Sequence, residues 1–226
     1  MTSATAPSKP DGDPRMSTQP APPRRIGVFG GAFDPPHRGH TALAQAALQH
    51  LDLDLLLVVP TGTAWHKSRP LSDAQYRLAM SGLAFGDIPQ TRVDGCEIAR
   101  SGPSYTVDTL RDLRQAYPDA GFFLLMGQDQ AQHLGSWSRA ENLPQLATLC
   151  VAGRADAAAL PQPARLSFSG APFLHLPMPA VPCSSTAIRE ALAAGRDTGT
   201  MLAPEVARYI AQHRLYAAIS PTENPD

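Results

Sequence analysis

The 226-residue sequence predicts an α/β fold with a doubly wound parallel sheet of about five strands and helices at the C-terminus. Two observations predict this class. Short, nearly uninterrupted apolar runs recur along the chain, and such runs are typical of parallel strands that are covered on both faces. Segments of helical length separate the runs, and this alternation is the pattern of a sheet with helices on both sides.

The predicted elements follow one another in regular order from residue 26. Apolar runs predict strands at 26–29, 53–59, 91–93, 121–126, 148–152 and 173–178, with a short candidate at 165–168. Apolar periodicity and capping residues predict helices at 38–51, 72–85, 107–117 and 204–213, and a further helix start in the segment 183–189. Ser72 is expected to cap the second helix, and Pro204 stands at the first position of the last one, where proline is favoured.

The two ends of the chain differ in composition from its centre. Residues 1–23 contain six prolines and mostly small or polar residues, which predicts a disordered N-terminal extension in which Met16 is an alternative start. Residues 24–216 are expected to form a single domain. A loose C-terminal tail is expected at 217–226.

Charge and cysteine content exclude several classes of protein. The net charge is −1, so nucleic acid and membrane surfaces are not expected partners. Cys96, Cys150 and Cys183 are scattered without a C-x-x-C pair, which argues against a disulfide framework and against structural zinc. No apolar signal segment begins the chain, and a cytoplasmic location is expected. The oligomeric state is left open, a homo-oligomer included.

One stretch, IGVFGGAFDPPHRGH at residues 26–40, joins a strand, a glycine turn and the start of a helix. Glycines 30 and 31 allow the backbone to approach a phosphate, and a helix N-terminus offers N–H groups and a positive dipole end. His37 and His40 are three residues apart and can lie on one face of the helix. This combination indicates polyphosphate chemistry.

Two better-known phosphate motifs are excluded by spacing. Glycines 27, 30 and 31 do not have the G-x-G-x-x-G spacing of the dinucleotide fingerprint. The later segment GTAWHKS at 62–68 is not a Walker loop, because His66 stands where that loop requires glycine.

Two further segments follow predicted strands and carry groups suited to nucleotides. Gly127 and Asp129 come directly after a strand, where a carboxylate can accept from both hydroxyls of a ribose. The alternative is that Asp129 caps the short helix that follows. The segment CSSTAIR at 183–189 places hydroxyls at a helix start and an arginine one turn later, which predicts a second anion site.

The segments GGAFDPPHRGH, SYTVDTL, MGQD and SSTAIR together resemble the motifs of bacterial nicotinate-nucleotide adenylyltransferases, in the nucleotidyltransferase superfamily with an H-x-G-H motif. The resemblance covers residues 25–216 and implies a Rossmann-like sheet of the nucleotidyltransferase type. It implies transfer of the adenylyl group of ATP to nicotinate mononucleotide in NAD biosynthesis, with pyrophosphate as the leaving group. Direct displacement is implied, with Mg²⁺ held by the phosphates and no metal-ligating residues.

The resemblance also implies roles for particular residues. It implies that His37, His40 and Arg189 are catalytic. The residues implied to bind ATP are Gly30, Gly31, Ala32, Phe33, His37, His40, Gly127, Asp129, Ser184, Ser185, Thr186 and Arg189. Those implied to bind nicotinate mononucleotide are Lys67, Tyr105, Thr106, Trp137 and Ser138.

Several of these roles have plain structural alternatives. Thr106 could contact the nicotinate group, act only as a helix N-cap, or do both. Lys67 could contact a phosphate or be a solvated surface lysine, and residues 63–65 replace the prolines that the family usually has before its His-Lys pair. Arg154 is followed by Ala155-Asp156 where the family often has Pro-Gly, so its role stays open. A related transferase with another acceptor and a non-catalytic nucleotide-binding regulator are the rival functions.

Overall fold

The structure, a computed structural model, describes residues 21–63, 70–154 and 167–217. In these ranges the strands are β1 Arg25–Gly31, β2 Leu55–Pro60, β3 Thr91–Val93, β4 Gly121–Gly127, β5 Thr148–Arg154, β6 Ser167–Phe168, β7 Ala171–Pro172 and β8 Leu174–Met178. The α-helices are α1 Arg38–His50, α2 Ala74–Phe85, α3 Cys96–Ala99, α4 Thr106–Ala116, α5 Gln128–Gln132, α6 Leu143–Leu146, α7 Ser185–Ala193 and α8 Pro204–Gln212.

Six of the described strands form one parallel sheet in the order β3-β2-β1-β4-β5-β8. The chain runs outwards from β1 to β3, and then from β4 to β8 on the other side. The direction of winding therefore reverses between β1 and β4, and ligands bind at such a reversal, beyond the carboxyl ends of the strands. The predicted doubly wound parallel sheet is confirmed, and β3 and β8 are its two edges.

Apolar side chains bury both faces of this sheet, as the unbroken apolar runs predict. Ile26 and Val28 of β1 pack in one layer with Leu110 of α4, whereas Phe29 packs in the opposite layer with Leu43 of α1. The alternation arises because successive side chains of a strand point to opposite faces. The centre of the sheet is therefore a packed core, and a site can form only at the ends of the strands and in the loops that follow them.

The starts of two helices differ from the predictions. Asp73, not Ser72, caps α2, and its carboxylate accepts from the Gln75 N–H at 2.7 Å. An ionised carboxylate is a strong acceptor at the positive end of a helix, and the N–H of Ser72 is instead bonded to the carboxylate of Asp34 at 3.3 Å. The N-cap interpretation of Thr106 is also wrong, because Tyr105 is the cap and Thr106 is the first residue of α4.

The short strand predicted at 165–168 lies partly outside the described residues. Within them, β6 and β7 form a two-stranded antiparallel ladder that is separate from the main sheet. Lys67 and the termini at 1–20 and 218–226 also lie outside the described residues. Among the helices that are described, none is long and apolar enough to cross a membrane.

A buried arginine joins the loops at the carboxyl edge of the sheet. Arg77 of α2 is only 1% exposed, and its guanidinium donates to four backbone carbonyl oxygens. They belong to Ser72 at 2.8 Å, Ala32 at 3.0 Å, Thr61 at 2.6 Å and Gly62 at 3.1 Å. Ala32 follows β1, whereas Thr61 and Gly62 follow β2. Arg77 therefore fixes the two loops relative to each other.

Replacing Arg77 with lysine should destabilise the fold. An ammonium cannot reproduce the planar fork, so some carbonyl oxygens would stay buried without a donor. We expect Arg77→Lys to lower the free energy of unfolding by roughly 2–4 kcal/mol. Urea denaturation measures the loss.

The matched control is Arg208→Lys on α8, where the side chain is 75% exposed. It should change the free energy of unfolding by less than about 0.5 kcal/mol. Equal effects of the two substitutions would contradict the role of Arg77.

Candidate active site

The loops that follow β1, β2 and β4 surround a cavity of about 340 Å³ at the carboxyl edge of the sheet. This volume lies within the range of small-molecule sites. The cavity has an apolar floor formed by strand residues such as Val28 and Leu124. The predicted site residues that line it are Gly30, Gly31, Ala32, Tyr105, Thr106, Asp129, Trp137 and Ser138.

An ion pair holds two walls of the cavity together. One wall is the start of α4 with Tyr105, and the other is the loop with Trp137. Asp108 of α4 accepts from both terminal nitrogens of Arg139, at 3.0 and 2.6 Å. The Arg139 guanidinium also lies over the Tyr105 ring at 5.3 Å. This bidentate pair lowers the pKa of Asp108 and sets the separation of Tyr105 and Trp137.

Glu97 of α3 also lines the cavity, and the sequence analysis missed it. Its side chain is 6% exposed, and its carboxylate accepts from the Thr109 hydroxyl at 2.7 Å. Burial raises the pKa of Glu97. The residue lies on a helix of one turn, and no periodic pattern or motif marks it. Other lining residues that were not predicted are Thr61, Ser104, Thr109, Gln130 and His133.

The loop after β2 approaches the backbone of α3 closely. A Cβ atom on Gly62 would lie 2.1 Å from the carbonyl oxygen of Glu97, so only glycine fits there. The Gly62 N–H also donates to the Ser104 hydroxyl at 3.1 Å. Ser104 begins the SYT segment, and the loop after β2 is therefore fixed to the wall that carries Tyr105.

His37 and His40 stack at the start of α1, with ring centroids 3.7 Å apart and planes inclined by 21°. His37 is the N-cap, and its Nδ1 accepts from the Gly39 N–H at 3.1 Å. The Nδ1 of His40 accepts from the N–H of His37 at 3.1 Å. A backbone N–H can only donate, so both rings carry their proton on Nε2 when neutral. The pair therefore presents two Nε2–H groups from one face of the helix.

His37 is held in the neutral form by its surroundings. The residue is 9% exposed, and this burial lowers its pKa from 6.5 to about 4. The Cys183 sulfur lies 3.4 Å from Nδ1 of His37. At pH 7 His37 is a hydrogen-bond donor through Nε2 and carries no positive charge.

Phe33, one of the predicted ATP contacts, supports this pair from the core. Its side chain is 1% exposed and lies edge-on to Phe29, Phe85 and His40. Its φ of 46° folds the ring back against Gly31, where a Cβ atom would lie 2.9 Å from the ring. Any contact of Phe33 with a nucleotide would therefore have to use the backbone.

The C-terminal motif contacts the segment that leads to the histidines. Arg189 of α7 donates to the carbonyl oxygen of Asp34 at 2.7 Å. The Ser185 hydroxyl donates to the carbonyl oxygen of Pro35 at 2.9 Å. The two predicted anion motifs thus meet at one place, as the sheet topology predicts.

The remaining hydroxyls of that motif have defined partners. Ser184 caps α7 by accepting from the Ala187 N–H at 3.2 Å. The Thr186 hydroxyl accepts from Arg189 at 3.1 Å. The motif therefore forms a capped helix start whose arginine lies beside the histidine segment.

The predicted residues fall into two adjacent groups that residues 30–37 connect. The first group lines the cavity, and the second consists of His37, His40 and the motif around Arg189. Asp129, which is predicted to contact the ribose of ATP, lines the cavity together with Gly30, Gly31, Ala32 and Trp137. The capping interpretation of Asp129 is wrong, because Gly127 is the N-cap of α5. Lys67 and the Arg154 side chain lie outside the described part of the chain.

A parallel sheet that ends in a glycine turn, a histidine pair and a second anion motif defines a nucleotidyltransferase. In agreement, residues 28–191 match the cytidylyltransferase-like family. A probable nicotinate-nucleotide adenylyltransferase of Albidiferax ferrireducens is 52% identical over 194 residues, which cover 85% of this chain and 98% of the relative. A second probable nicotinate-nucleotide adenylyltransferase, of Methylibium petroleiphilum, is 46% identical over 202 residues, which cover 87% of this chain and 94% of the relative.

The chain belongs to the nicotinate-nucleotide adenylyltransferase family, which confirms the resemblance of its motifs. The solved structure of Plasmodium falciparum nicotinic acid mononucleotide adenylyltransferase complexed with NaAD has the same fold. The TM-score is 0.69 and the sequence identity is 19%. The match covers 85% of this chain and 97% of the Plasmodium chain.

The lowered pKa of His37 should make the protein lose stability in acid. The unfolded chain binds a proton near pH 6.5, whereas the folded protein does so only near pH 4. Stability therefore falls as the pH falls through this window, by up to about 3 kcal/mol from this residue.

The comparison variant is His37→Asn, because asparagine also caps helices but does not titrate. Urea denaturation at pH 7 and at pH 4 should show a larger loss for the wild type than for His37→Asn. Equal losses of stability in the two proteins would show that His37 binds its proton equally well in the folded and the unfolded chain.

Proposed function

We propose that this enzyme transfers the adenylyl group of ATP to nicotinate mononucleotide, which yields nicotinate adenine dinucleotide and pyrophosphate for NAD biosynthesis. The observation that carries this proposal is the contact of Arg189 with Asp34, in the segment that joins the stacked His37–His40 pair to the cavity wall at residues 30–32. Tyr105 and Trp137 line the same cavity. The names of the related proteins support this choice of acceptor.

The proposed chemistry is a direct displacement. An oxygen of the mononucleotide 5′-phosphate forms a bond to the α-phosphorus of ATP, the bond from that phosphorus to the bridging oxygen breaks, and pyrophosphate leaves. The attacking phosphate is already anionic at neutral pH, so no general base is needed. The protein contributes positioning and stabilisation of charge.

The histidine pair is suited to the charge that develops at the transferred group. Each Nε2–H can donate to an oxygen of the α- or β-phosphate, and a donor already held in position stabilises the negative charge that develops there. Arg189 with Ser184, Ser185 and Thr186 would hold the departing β- and γ-phosphates. The contacts from Arg189 and Ser185 to the segment 34–35 keep this group next to the histidines.

We propose that Mg²⁺ accompanies the phosphates and neutralises part of their charge. Within the described ranges, no group of three or more His, Cys, Asp or Glu side chains is placed to hold a metal ion. This fits a Mg²⁺ ion whose ligands are phosphate oxygens and water, as is common for this ion.

The cavity is suited to the mononucleotide. Trp137 would stack on the pyridine ring, while Tyr105, Thr106 and Ser138 would surround its carboxylate. Asp129, directly after β4, would accept from ribose hydroxyls, and Lys67 would contact a phosphate.

The test is ATP consumption with a panel of phosphorylated acceptors, with detection of the dinucleotide. Absence of dinucleotide with nicotinate mononucleotide would overturn the proposal.

Removing the imidazole of His40 should reduce turnover far more than ATP binding. The donor is proposed to act on charge that grows in the transition state, so its loss should lower kcat by roughly 10²–10³-fold. His40→Ala should leave the KM for ATP within a few-fold of the wild type. Steady-state kinetics with both substrates measure this.

His50→Ala is the matched control, because His50 is exposed at the last position of the same helix. It should keep full turnover. Arg189→Lys should lower turnover, since a point charge does not replace a planar fork. If His40→Ala loses stability but keeps its kcat, the proposed role of His40 is wrong.

The acid mononucleotide should be preferred over the amide. The start of α4 and the loop of Trp137 offer backbone N–H groups to a carboxylate, whereas a carboxamide would turn its own NH₂ towards some of them. Two of the nearby acids have partners, since Asp108 is paired with Arg139 and Glu97 accepts from Thr109. The third, Asp129, is proposed to accept from ribose hydroxyls. Each mismatched donor is worth about 1–3 kcal/mol.

The measurement is the ratio of kcat/KM for nicotinate mononucleotide and its amide under identical conditions. A ratio of one, or a preference for the amide, would refute the acid assignment and leave adenylyl transfer intact. Trp137→Ala should raise the KM for both mononucleotides and leave the KM for ATP nearly unchanged.

A further inference from the structure

Asp34 connects the phosphate segment to three distant parts of the chain. Its side chain is 1% exposed. Carboxylate oxygen Oδ1 accepts from the Tyr216 hydroxyl at 2.7 Å, and Oδ2 accepts from the Ser72 N–H at 3.3 Å. The carbonyl oxygen of the same residue accepts from Arg189 at 2.7 Å. Any displacement of Asp34 would therefore also displace the contact of Arg189.

Tyr216 reaches this site from the segment after α8. Its φ of 64° is in the left-handed region, which is unfavourable for a bulky residue and persists only where the surroundings enforce it. Tyr216 also packs against the cluster of Met80 from α2 and Ile188 from α7. Tyr216 is therefore held against this cluster in a strained backbone conformation, and this packing fixes the position of its hydroxyl.

The hydroxyl is a donor throughout the working pH range. Burial and the bond to Asp34 raise the pKa of Tyr216 above its ordinary value. Without this hydroxyl, a buried carboxylate oxygen would lose a hydrogen bond of 2.7 Å.

We propose that Tyr216 is a positioning residue for the phosphate site, because its hydroxyl fixes Asp34, and Asp34 in turn fixes Arg189 and the segment that leads to His37. In this proposal the hydroxyl of Tyr216 acts on the two anion motifs through its hydrogen bond to Asp34. The expected effect of Tyr216 on turnover rests on the proposed function. Its expected effect on residues 32–40 does not.

The test compares Tyr216→Phe with Tyr209→Phe. Tyr209 lies on α8 in the same C-terminal segment, but its ring faces Tyr76 and His213. In Tyr216→Phe we expect kcat to fall about tenfold while the KM for the mononucleotide stays within about twofold. Tyr209→Phe should match the wild type. An unchanged kcat in Tyr216→Phe, or an equal loss in Tyr209→Phe, would overturn the proposal.

Hydrogen exchange of the protein without substrates gives a readout that does not depend on activity. Amides in residues 32–40 should exchange at least about threefold faster in Tyr216→Phe than in Tyr209→Phe, since a lost contact raises the local opening rate. Equal exchange would overturn the proposal even if the wild type made no dinucleotide. A wild type without adenylyl transfer would overturn the proposed function alone.

A double-mutant cycle with Asp34→Asn tests the path of the effect, and Asp34→Asn alone serves if Tyr216→Phe does not fold. Asp34→Asn alone should lower kcat several-fold, because the amide oxygen is a weaker acceptor. Adding Tyr216→Phe to it should cost less than about threefold more, since the two residues act as one unit. Full turnover in Asp34→Asn, or losses that multiply independently, would overturn the proposal.

Discussion

The burial of Arg77 is the interaction on which the site depends most. A guanidinium that is 1% exposed is tolerated only when nearly all of its donors are bonded, and here they meet four carbonyl oxygens. Those oxygens belong to the loops after β1 and β2, which leave neighbouring strands in the same direction. The requirement to satisfy one buried charge thereby determines the shape of the cavity rim.

The same principle explains why His37 is neutral. A charged imidazole at the start of α1 would be desolvated and would meet the positive end of the helix dipole, so burial lowers the pKa of His37 to about 4. The backbone N–H groups of the first turn are satisfied by the Nδ1 atoms of His37 and His40. The same two hydrogen bonds therefore cap the helix and orient the Nε2–H donors. A substitution that removes either ring also disturbs the cap.

Much of the fold was predictable because it depends on local pattern. Apolar runs placed the central strands, and the rule that ligands bind beyond the carboxyl ends of parallel strands predicted that the segments around His37 and Arg189 would meet. Helix starts were less predictable, since Ser72 and Asp73 are both good caps and only the folded chain shows that Asp73 bonds the first turn.

The residues that sequence analysis missed share a physical property. Arg77, Glu97 and Arg139 act on groups whose positions are set by tertiary structure: carbonyl oxygens of other loops, a hydroxyl on α4, and a carboxylate 31 positions away. An arginine within a helical pattern is more often solvated, and a single acid on a one-turn helix carries no periodicity. Sequence motifs identify the groups that face a ligand, whereas the contacts that position those groups depend on the whole fold. A substitution outside the motifs can therefore change the site without removing any group that faces a ligand.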